Sequence, residues 1–211
     1  MIYNQTSKGA NGLQNFLFPL SYLYVSQTEN VGSHLGSYAI DFIGWGSQGR
    51  IYNCPYYAPF DCQLVAIWGA TSPMVVWQSL NQVNYVDGTV DFATIGFVHD
   101  DNTPSYKIGT IKKQGDVIGY TGTLGIGTGD HVHMEVAKGK YAGYFENSSK
   151  VWLLRNQYHI YNACGVNDTV LVSGHTVYDW KIFGTNYPDI IRKRKKFPWV
   201  LYQQKLRSRY F

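Results

Sequence analysis

Hydrophobic and polar residues alternate along much of the first 140 positions, in short stretches separated by turn-forming residues. A period of two is typical of β-strands that bury one face, and the intervening Gly, Pro, Asn and Asp favour short loops. The sequence therefore predicts a mainly β protein built on an antiparallel β-sheet. The stretches are SYAIDFIG (37–44), QLVAIWG (63–69), MVVWQSL (74–80), VDFATIGFVH (90–99), DVIGYTG (116–122) and HVHMEVA (131–137).

The pattern weakens after about residue 145. WLLRNQYHIYNACG and TVLVSGHTVYDWKIFG are further strands or short helices on this reading, and the chain from Ile190 onward is basic with interleaved aromatics. We therefore divide the chain into a domain at 1–145, a C-terminal extension at 146–189 that completes or packs on it, and a basic aromatic tail at 190–211.

Charge is distributed unevenly between these parts. The tail holds eight of the 18 basic residues and no acid, so it carries +8 while the preceding residues carry −4. The overall pI of about 8.8 is therefore a poor guide to what the body binds. A nucleic-acid-binding function driven by the tail would lack a basic face on the body.

Cysteine content and the apolar segments exclude other classes. Three cysteines without a CxxC pair argue against a disulfide framework or a thiolate zinc site, and leave a Cys54–Cys62 bridge open. The apolar stretch near residues 16–25 has no basic lead-in, contains Pro19 and lacks a small-residue cleavage site, so we expect no signal peptide. No apolar run reaches about 18 residues, so we expect no membrane span.

The candidate chemistry lies in four histidines and one strand aspartate. His131 and His133 are two residues apart in a predicted strand, so both project from one face, although a solvent-facing strand would tolerate such a pair too. Asp41 lies between Ile40 and Phe42, where a carboxylate is costly unless a partner or a cation binds it. A hydrogen bond to a neighbouring loop is the alternative for Asp41.

His34 precedes the Asp41 strand, and His99 ends the strand TIGFVH. Imidazole and carboxylate ligands together favour zinc, which takes three protein ligands in catalytic sites and keeps a further position for water. Five candidates exceed that need by two. We therefore expect three of them to bind the metal and two to handle protons.

These residues lie in a recognisable order. GDVIGYTGTLGIGTGDHVHMEV resembles the signature of the lysostaphin-type (LytM-like) zinc endopeptidases, YYAPFDCQLVAIWG resembles that family's Y-A-P strand pair, and TIGFVH resembles its Y-x-H strand. The resemblance covers about residues 30–137. It implies an antiparallel sheet with a substrate groove, as in the lysostaphin/LytM-like (duplicated hybrid motif-like) fold, and makes residues 1–145 a zinc endopeptidase domain.

Position by position, the resemblance implies that His34, Asp41 and His133 hold the zinc, and that His99 and His131 act in catalysis. One departure concerns the loop before the carboxylate. Six residues separate His34 from Asp41, where the family has an HxxxD spacing, so a longer Gly- and Ser-rich loop must return His34 to the metal.

Three further residues near the histidine pair bear on the site. Thr128 and Asp130 stand where the family motif has Ser and Pro or Asn. Glu135 lies on the ligand face, where it could hydrogen-bond a ligand imidazole; the family gives no reason to make it the general base. His159 and His175 have no motif context, and we interpret both as structural.

The implied function is zinc-dependent hydrolysis of peptide bonds in peptidoglycan stem peptides or cross-bridges. The His34–Asp41 spacing resembles that of cell-wall peptidases at phage tail tips, which predicts a phage-encoded enzyme for cell-wall penetration or host lysis. It would reside in the virion tail, or in the host cytoplasm before release, and act on the bacterial cell wall.

The predicted partners are the peptidoglycan peptide, phage tail proteins and, through the basic tail, anionic wall polymers, a partner protein or packaged nucleic acid. A solvated arm is the alternative for the tail. The alternative for the whole chain is a catalytically silent peptidoglycan-binding protein or structural tail component.

Overall fold

The computed structural model describes residues 4–125 and 129–166, together with Trp180 and Phe183. Within these residues the secondary structure is almost entirely β, with 16 short strands. In chain order they are β1 (Val25–Gln27), β2 (Ile40–Phe42), β3 (Trp45–Gly46), β4 (Gly49–Arg50), β5 (Pro55–Tyr57), β6 (Cys62–Trp68), β7 (Met74–Ser79), β8 (Val83–Asn84), β9 (Val90–Asp91), β10 (Ala93–Val98), β11 (Ile111–Lys112), β12 (Val117–Tyr120), β13 (Val132–Lys138), β14 (Tyr144–Glu146), β15 (Trp152–Leu154) and β16 (Gln157–Tyr158).

One eight-stranded sheet organises the molecule. Its order is β1-β2-β13-β10-β7-β6-β11, with β16 also pairing with β13, and every pairing is antiparallel. The predicted mainly β, antiparallel class is therefore confirmed. The β12–β5, β14–β15, β3–β4 and β8–β9 pairs form four separate two-stranded sheets, so the predicted strand DVIGYTG lies outside the main sheet.

Helical structure is limited to three short segments of the described chain. These are the 3-10 helices Gly32–His34 and Thr103–Ser105 and the single-turn helix α1 (Ile160–Ala163). None of the helices in this part of the chain is long and apolar enough to cross a membrane.

The two faces of the main sheet differ in character, as the alternating sequence requires. On β13, Val132, Met134 and Val136 belong to the largest apolar cluster, while His133 and Glu135 point to the opposite face. His133 pairs with Asp41 of β2 on one side and with Val98 of β10 on the other. The strand register alone therefore places Asp41 beside His133.

The core also uses residues on both sides of the 30–137 region. Phe16 packs edge-to-face against Phe60 at 4.8 Å between ring centroids, and Phe18 packs against Phe42 at 5.0 Å. Ile160, near the end of the described chain, is fully buried in the same cluster. The apolar stretch near residues 16–25 is thus part of the folded core.

Two other readings of the sequence can be compared with the structure. Cys54, Cys62 and Cys164 are all buried free thiols, so the Cys54–Cys62 bridge does not form. Most of TVLVSGHTVYDWKIFG, with His175, and the whole of the 190–211 tail lie outside the described residues.

Asp100 directly follows the predicted catalytic histidine His99, which comes just after the end of β10, and is completely buried. Its Oδ2 accepts hydrogen bonds from the hydroxyls of Tyr106 at 2.6 Å and Tyr56 at 3.2 Å, and from the backbone N–H of Tyr120 at 2.8 Å. Its Oδ1 accepts from the backbone N–H of Asn102 at 2.8 Å. One carboxylate therefore ties the end of β10 to β5, β12 and the following turn.

We predict that Asp100→Ala lowers the free energy of unfolding by about 3 kcal/mol, because it leaves several buried donors without an acceptor. Urea denaturation of the full chain measures the change. Asp101→Ala is the matched control, since Asp101 is exposed and accepts only long hydrogen bonds from Thr123. Equal losses in the two variants would contradict the structural role of Asp100.

Candidate metal centre

Three predicted ligands converge on one point of the sheet. His34 Nε2 lies 3.1 Å from Asp41 Oδ1, His133 Nδ1 lies 3.1 Å from the same oxygen, and the two nitrogens are 3.1 Å apart. The three atoms form a nearly equilateral triangle. His34 and Asp41 are buried, and His133 is 16% exposed through its side chain, so the triangle is accessible from one side.

The ligands reach the triangle by different routes. Asp41 and His133 are paired residues of adjacent strands and face the same side of the sheet. His34 is the last residue of the 3-10 helix Gly32–His34, in the loop between β1 and β2. The six residues between His34 and Asp41 are therefore accommodated by a loop that folds back over the sheet.

Hydrogen bonds fix the tautomers of both ligand imidazoles. His34 Nδ1 lies 3.1 Å from the carbonyl oxygen of Thr28, and a carbonyl can only accept, so the N–H of His34 is on Nδ1. His133 Nε2 lies 3.3 Å from Glu135 Oε1, a carboxylate oxygen that accepts, so His133 carries an N–H on Nε2. Each ring then keeps a lone pair on the nitrogen that belongs to the triangle.

Glu135 supports the site from behind. It is 2% exposed, and its Oε2 accepts a hydrogen bond from the backbone N–H of Leu154 at 2.8 Å while its Oε1 faces His133. Carboxylate–imidazole–metal arrangements of this kind orient the ligand ring and raise its basicity. The structure thus places Glu135 where the sequence suggested, as a hydrogen-bond partner of a ligand imidazole.

The two predicted catalytic histidines lie next to the triangle. The rings of His99 and His131 are 4.4 Å apart between centroids, and His131 Nε2 is 3.7 Å from Asp41 Oδ2. His99 Nδ1 lies 2.8 Å from the Leu124 carbonyl oxygen, and His131 Nδ1 lies 2.6 Å from that of Gly129. Both rings therefore carry their proton on Nδ1 and keep Nε2 as an acceptor.

His99 also has an unusual backbone. Its φ of +79° lies in the left-handed region that residues with a Cβ rarely adopt. Such a conformation costs on the order of 1–3 kcal/mol and persists where the surroundings impose it. The chain leaves β10 at this residue, and the bond to Leu124 holds the imidazole beside His131.

Asp130 braces the turn before His131. Its carboxylate accepts from the Thr121 hydroxyl at 2.6 Å and the Asn53 backbone N–H at 2.8 Å, and its carbonyl oxygen accepts from Arg50 at 2.9 Å. The departure from the family motif at this position is thus a structural anchor. Thr128 lies outside the described residues.

Burial and opposite charge act against each other at the triangle. Burial alone would raise the pKa of Asp41, but hydrogen bonds from His133 and His34 outweigh it and hold that pKa well below the usual range. Burial would lower the pKa of His133, but hydrogen bonds to Asp41 and Glu135 raise it to about 10. Without a metal, a proton on His133 would supply the positive charge that these carboxylates attract.

The pKa of His99 is shifted in the opposite direction, downward. Burial lowers its pKa, the hydrogen bond to the Leu124 carbonyl opposes this, and the neighbouring His131 and His133 lower it further. His99 is therefore held in its neutral form near neutral pH. A neutral imidazole can accept a proton through Nε2.

The donor set fits zinc. Ligand atoms about 2.0–2.1 Å from a tetrahedral Zn²⁺ are ~3.3 Å apart, close to the 3.1 Å edges of the triangle. Two imidazole nitrogens and one carboxylate oxygen form the three-ligand set typical of catalytic zinc. The same three residues form the one group of His, Cys, Asp and Glu side chains that meets the spacing for a metal site within the described part of the chain.

All five sequence-predicted site residues therefore meet at one place, although their roles stay a prediction. Sequence reasoning missed the carbonyl groups of Thr28, Leu124 and Gly129, which set three of the four tautomers. Backbone acceptors leave no residue-type signal, so only the folded structure identifies them. His131 also precedes β13, in an isolated bridge with Gly122, instead of lying within the predicted strand.

The chain is similar to a curated phage protein. The chain is 38% identical over 179 residues to morphogenesis protein 1 of Bacillus phage B103, a match that covers 83% of this chain and 46% of that protein. The chain thus spans about half the length of this relative. No protein-family model matches the sequence.

Solved structures similar to the chain include LytU, at 23% identity and a TM-score of 0.41, covering 57% of this chain and 77% of that one. They also include the antimicrobial peptidase lysostaphin from Staphylococcus simulans, at 18% identity and a TM-score of 0.40, covering 57% and 44%. Lysostaphin itself is thus among the solved structures similar to this chain, in agreement with the predicted resemblance.

The pKa of His133 predicts how the metal-free protein responds to pH. A histidine whose pKa rises from 6.5 to about 10 on folding contributes stability that is complete below pH 6.5 and is lost as pH rises through 10. The stability advantage of the native chain over His133→Gln should therefore shrink between these values. Denaturant unfolding with a chelator present, at pH 6, 8 and 10, measures it, and a constant or widening gap would contradict the assignment.

The positive φ of His99 predicts that glycine is a more stable replacement than alanine at this position. Since only glycine adopts a φ of +79° without a Cβ penalty, His99→Gly should be about 1 kcal/mol more stable than His99→Ala. Both variants lose the imidazole, so their difference isolates the backbone conformation. Equal stability, or a more stable alanine variant, in chemical denaturation would show that the backbone here is unstrained.

Proposed function

We propose that the chain is a zinc-dependent endopeptidase of the lysostaphin type, which hydrolyses peptide bonds in bacterial peptidoglycan stem peptides or cross-bridges. The observation that carries this proposal is the triangle of His34 Nε2, Asp41 Oδ1 and His133 Nδ1, with every edge 3.1 Å long. Three acceptor atoms at this separation repel one another unless a positive charge lies among them.

The tautomers strengthen this reading. Each ligand imidazole donates its N–H outward, to Thr28 or Glu135, and presents a lone pair to the triangle. A proton could bridge two of the atoms. A divalent cation satisfies all three at once.

When bound at the triangle, zinc would supply Lewis acidity, which polarises a carbonyl group and makes water more acidic. His99 and His131 then have the proton-transfer roles. With Nδ1 fixed by a backbone carbonyl, each can accept a proton at Nε2 from the attacking water, and only the ring protonated there can donate a hydrogen bond to the developing oxyanion. The protonated imidazole can pass its proton to the leaving amine.

A catalytically silent wall-binding or structural protein is the alternative from another class. Such a protein would need the zinc triangle for stability at most, and would have no use for two further imidazoles held in one tautomer beside it. The strained backbone of His99 also favours an enzyme, because strain of this kind concentrates at functional sites.

The similarity to a phage morphogenesis protein supports a phage origin. We propose that the enzyme serves cell-wall penetration or host lysis, within the virion tail or from the host cytoplasm after release. Residues 1–145 would form the endopeptidase domain, and the tail at 190–211 would attach the enzyme to anionic wall polymers or to other phage proteins.

The test combines metal content with bond cleavage in the purified full chain. We expect stoichiometric zinc, loss of turbidity of bacterial cell walls and release of new amino groups without new reducing sugar ends. Asp41→Asn and His133→Ala should lose zinc and activity together. His99→Ala and His131→Ala should keep zinc but lose at least ~100-fold in rate, because each removes a proton-transfer group.

Asp116→Asn is the control, since Asp116 lies in the turn before β12 and caps the backbone N–H of Lys113. It should retain both zinc and activity. Sedimentation with walls without any release of amino groups would support the silent alternative. A native chain that binds no zinc, or activity in His133→Ala equal to the native level, would refute the proposal.

A further inference from the structure

The loop that brings His34 to the triangle contains no strand, and most of its own hydrogen bonds are between residues close in sequence. We call residues 28–39 the histidine loop. Its internal backbone hydrogen bonds run from Asn30 N to Ser37 O, His34 N to Val31 O and Ser37 N to His34 O. Side chains add bonds from Gly36 N to Asn30 Oδ1, from Ala39 N to Ser37 Oγ and from His34 Nδ1 to the Thr28 carbonyl oxygen. Val31 and Leu35 are more than half exposed, so the loop is not fixed by burying these side chains.

The loop also contains two glycines with positive φ, Gly32 at +57° and Gly36 at +72°. Glycine loses more conformational freedom on folding than any other residue, so ordering this loop is costly. The spacing between His34 and Asp41 is three residues longer than in the resembling family. A loop of this kind needs external contacts to hold a metal ligand in place.

Gln27 of β1 supplies two of those contacts, to Val31 O and Ser33 Oγ, and the C-terminal extension supplies those around His34 itself and at the two ends of the loop. Asn147, at the end of the β14–β15 hairpin, donates from Nδ2 to the carbonyl oxygen of Leu35 at 2.9 Å. Gln157 of β16 accepts through Oε1 from the backbone N–H of Tyr38 at 3.0 Å. The two bonds hold the loop one residue after His34 and again at the entry to β2.

His159 adds a third attachment. Its Nδ1 lies 2.9 Å from Glu29 Oε2, and its ring stacks on Tyr38 with 3.9 Å between centroids and 22° between planes. Glu29 is adjacent to Thr28, whose carbonyl fixes the His34 tautomer. The histidine interpreted as structural from the sequence therefore holds both ends of the histidine loop.

The same extension reaches the second ligand imidazole. The Leu154 backbone N–H donates to Glu135 Oε2 at 2.8 Å, and Glu135 Oε1 faces His133 Nε2 at 3.3 Å. Contacts from residues 147–159 thus lead to His34 through the loop and to His133 through one carboxylate. Asp41, the third ligand, is set by the register of β2 and β13.

We propose that residues 146–159 are a clamp that positions the imidazoles of His34 and His133 for zinc binding. The resemblance to the peptidase family ends near residue 137, so the family motifs assign no role to residues 146–159. The clamp gives this segment a role. The proposal rests on the zinc site of the proposed function. Gln157 and His159 are positioning residues in it and touch neither the metal nor the substrate.

The test uses substitutions that keep shape and remove one contact. Gln157→Met loses the acceptor for Tyr38 N–H, and Gln157→Glu restores it. His159→Phe keeps the ring on Tyr38 but loses the bond to Glu29. Direct hydrogen-bond partners of metal ligands contribute about tenfold or more to metal affinity. Gln157 and His159 act one contact further out, so we expect Gln157→Met and His159→Phe each to weaken zinc affinity by up to about tenfold, with Gln157→Glu near native.

Two measurements separate positioning from general stability. Competition with a chromophoric chelator gives the zinc dissociation constant, and the visible absorption of the Co²⁺-substituted full chain reports ligand geometry. The two weakened variants should show a reduced or shifted Co²⁺ band. The midpoint of thermal unfolding of the metal-free variants should stay close to that of the metal-free native chain, because no core side chain is changed.

Arg155→Ala is the matched control. Arg155 lies in the same extension, two residues from Gln157, and its side chain is exposed. It should leave zinc affinity and the Co²⁺ spectrum at native levels. An equal loss of affinity in Arg155→Ala would show that the effect is not specific to the clamp contacts and would overturn the proposal.

The failures of the two proposals are distinguishable. Native zinc affinity and Co²⁺ spectra in both Gln157→Met and His159→Phe, with a native chain that binds zinc tightly, would overturn the clamp and leave the metal site standing. A native chain that binds no zinc would overturn both.

Discussion

The mutual approach of three acceptor atoms dominates this structure. His34 Nε2, His133 Nδ1 and Asp41 Oδ1 are held 3.1 Å apart. With neutral imidazoles, two of these atoms present lone pairs and the third carries negative charge, and in the absence of metal a proton on His133 relieves this repulsion. Electrostatics alone would separate such groups, and low local polarity makes the repulsion stronger. The fold must therefore hold them until a cation or a proton binds. Much of the surrounding structure can be understood as serving that purpose.

The three groups are held together by two kinds of structure, a pair of strands and a loop. Strand pairing fixes Asp41 opposite His133, because β13 is hydrogen-bonded to β2 on one side and to β10 on the other. His34 comes from a loop, where backbone freedom is greatest. Contacts from the extension compensate for this difference. A zinc ligand delivered by a loop depends on residues far away in sequence, such as Gln157 and His159.

Alternation in the sequence was sufficient to predict the strands that carry the site, because each has one face in the core. Ile40 and Phe42 flank Asp41 on β2, and Val132 and Met134 flank His133 on β13, so the polar residues had to face the other way. The same reasoning could not find the support of His34. Asn147, Gln157 and His159 follow no period and match no motif, and their importance arises only when the extension folds back over the sheet. The apolar residues Phe16 and Phe18 likewise gave no sign of their partners.

The hydrogen bonds that fix the imidazoles explain how the motif can vary without losing the site. Thr28, Leu124 and Gly129 act through their carbonyl oxygens, so other side chains at these positions would leave the acceptors in place. What must be kept is the backbone path, and side chains such as Asp100 and Asp130 maintain it by accepting several buried donors each. Asp130 replaces the residue typical of the resembling family and braces the turn that carries the Gly129 carbonyl. A substitution that kept the Gly129 carbonyl in place would therefore leave the His131 tautomer unchanged.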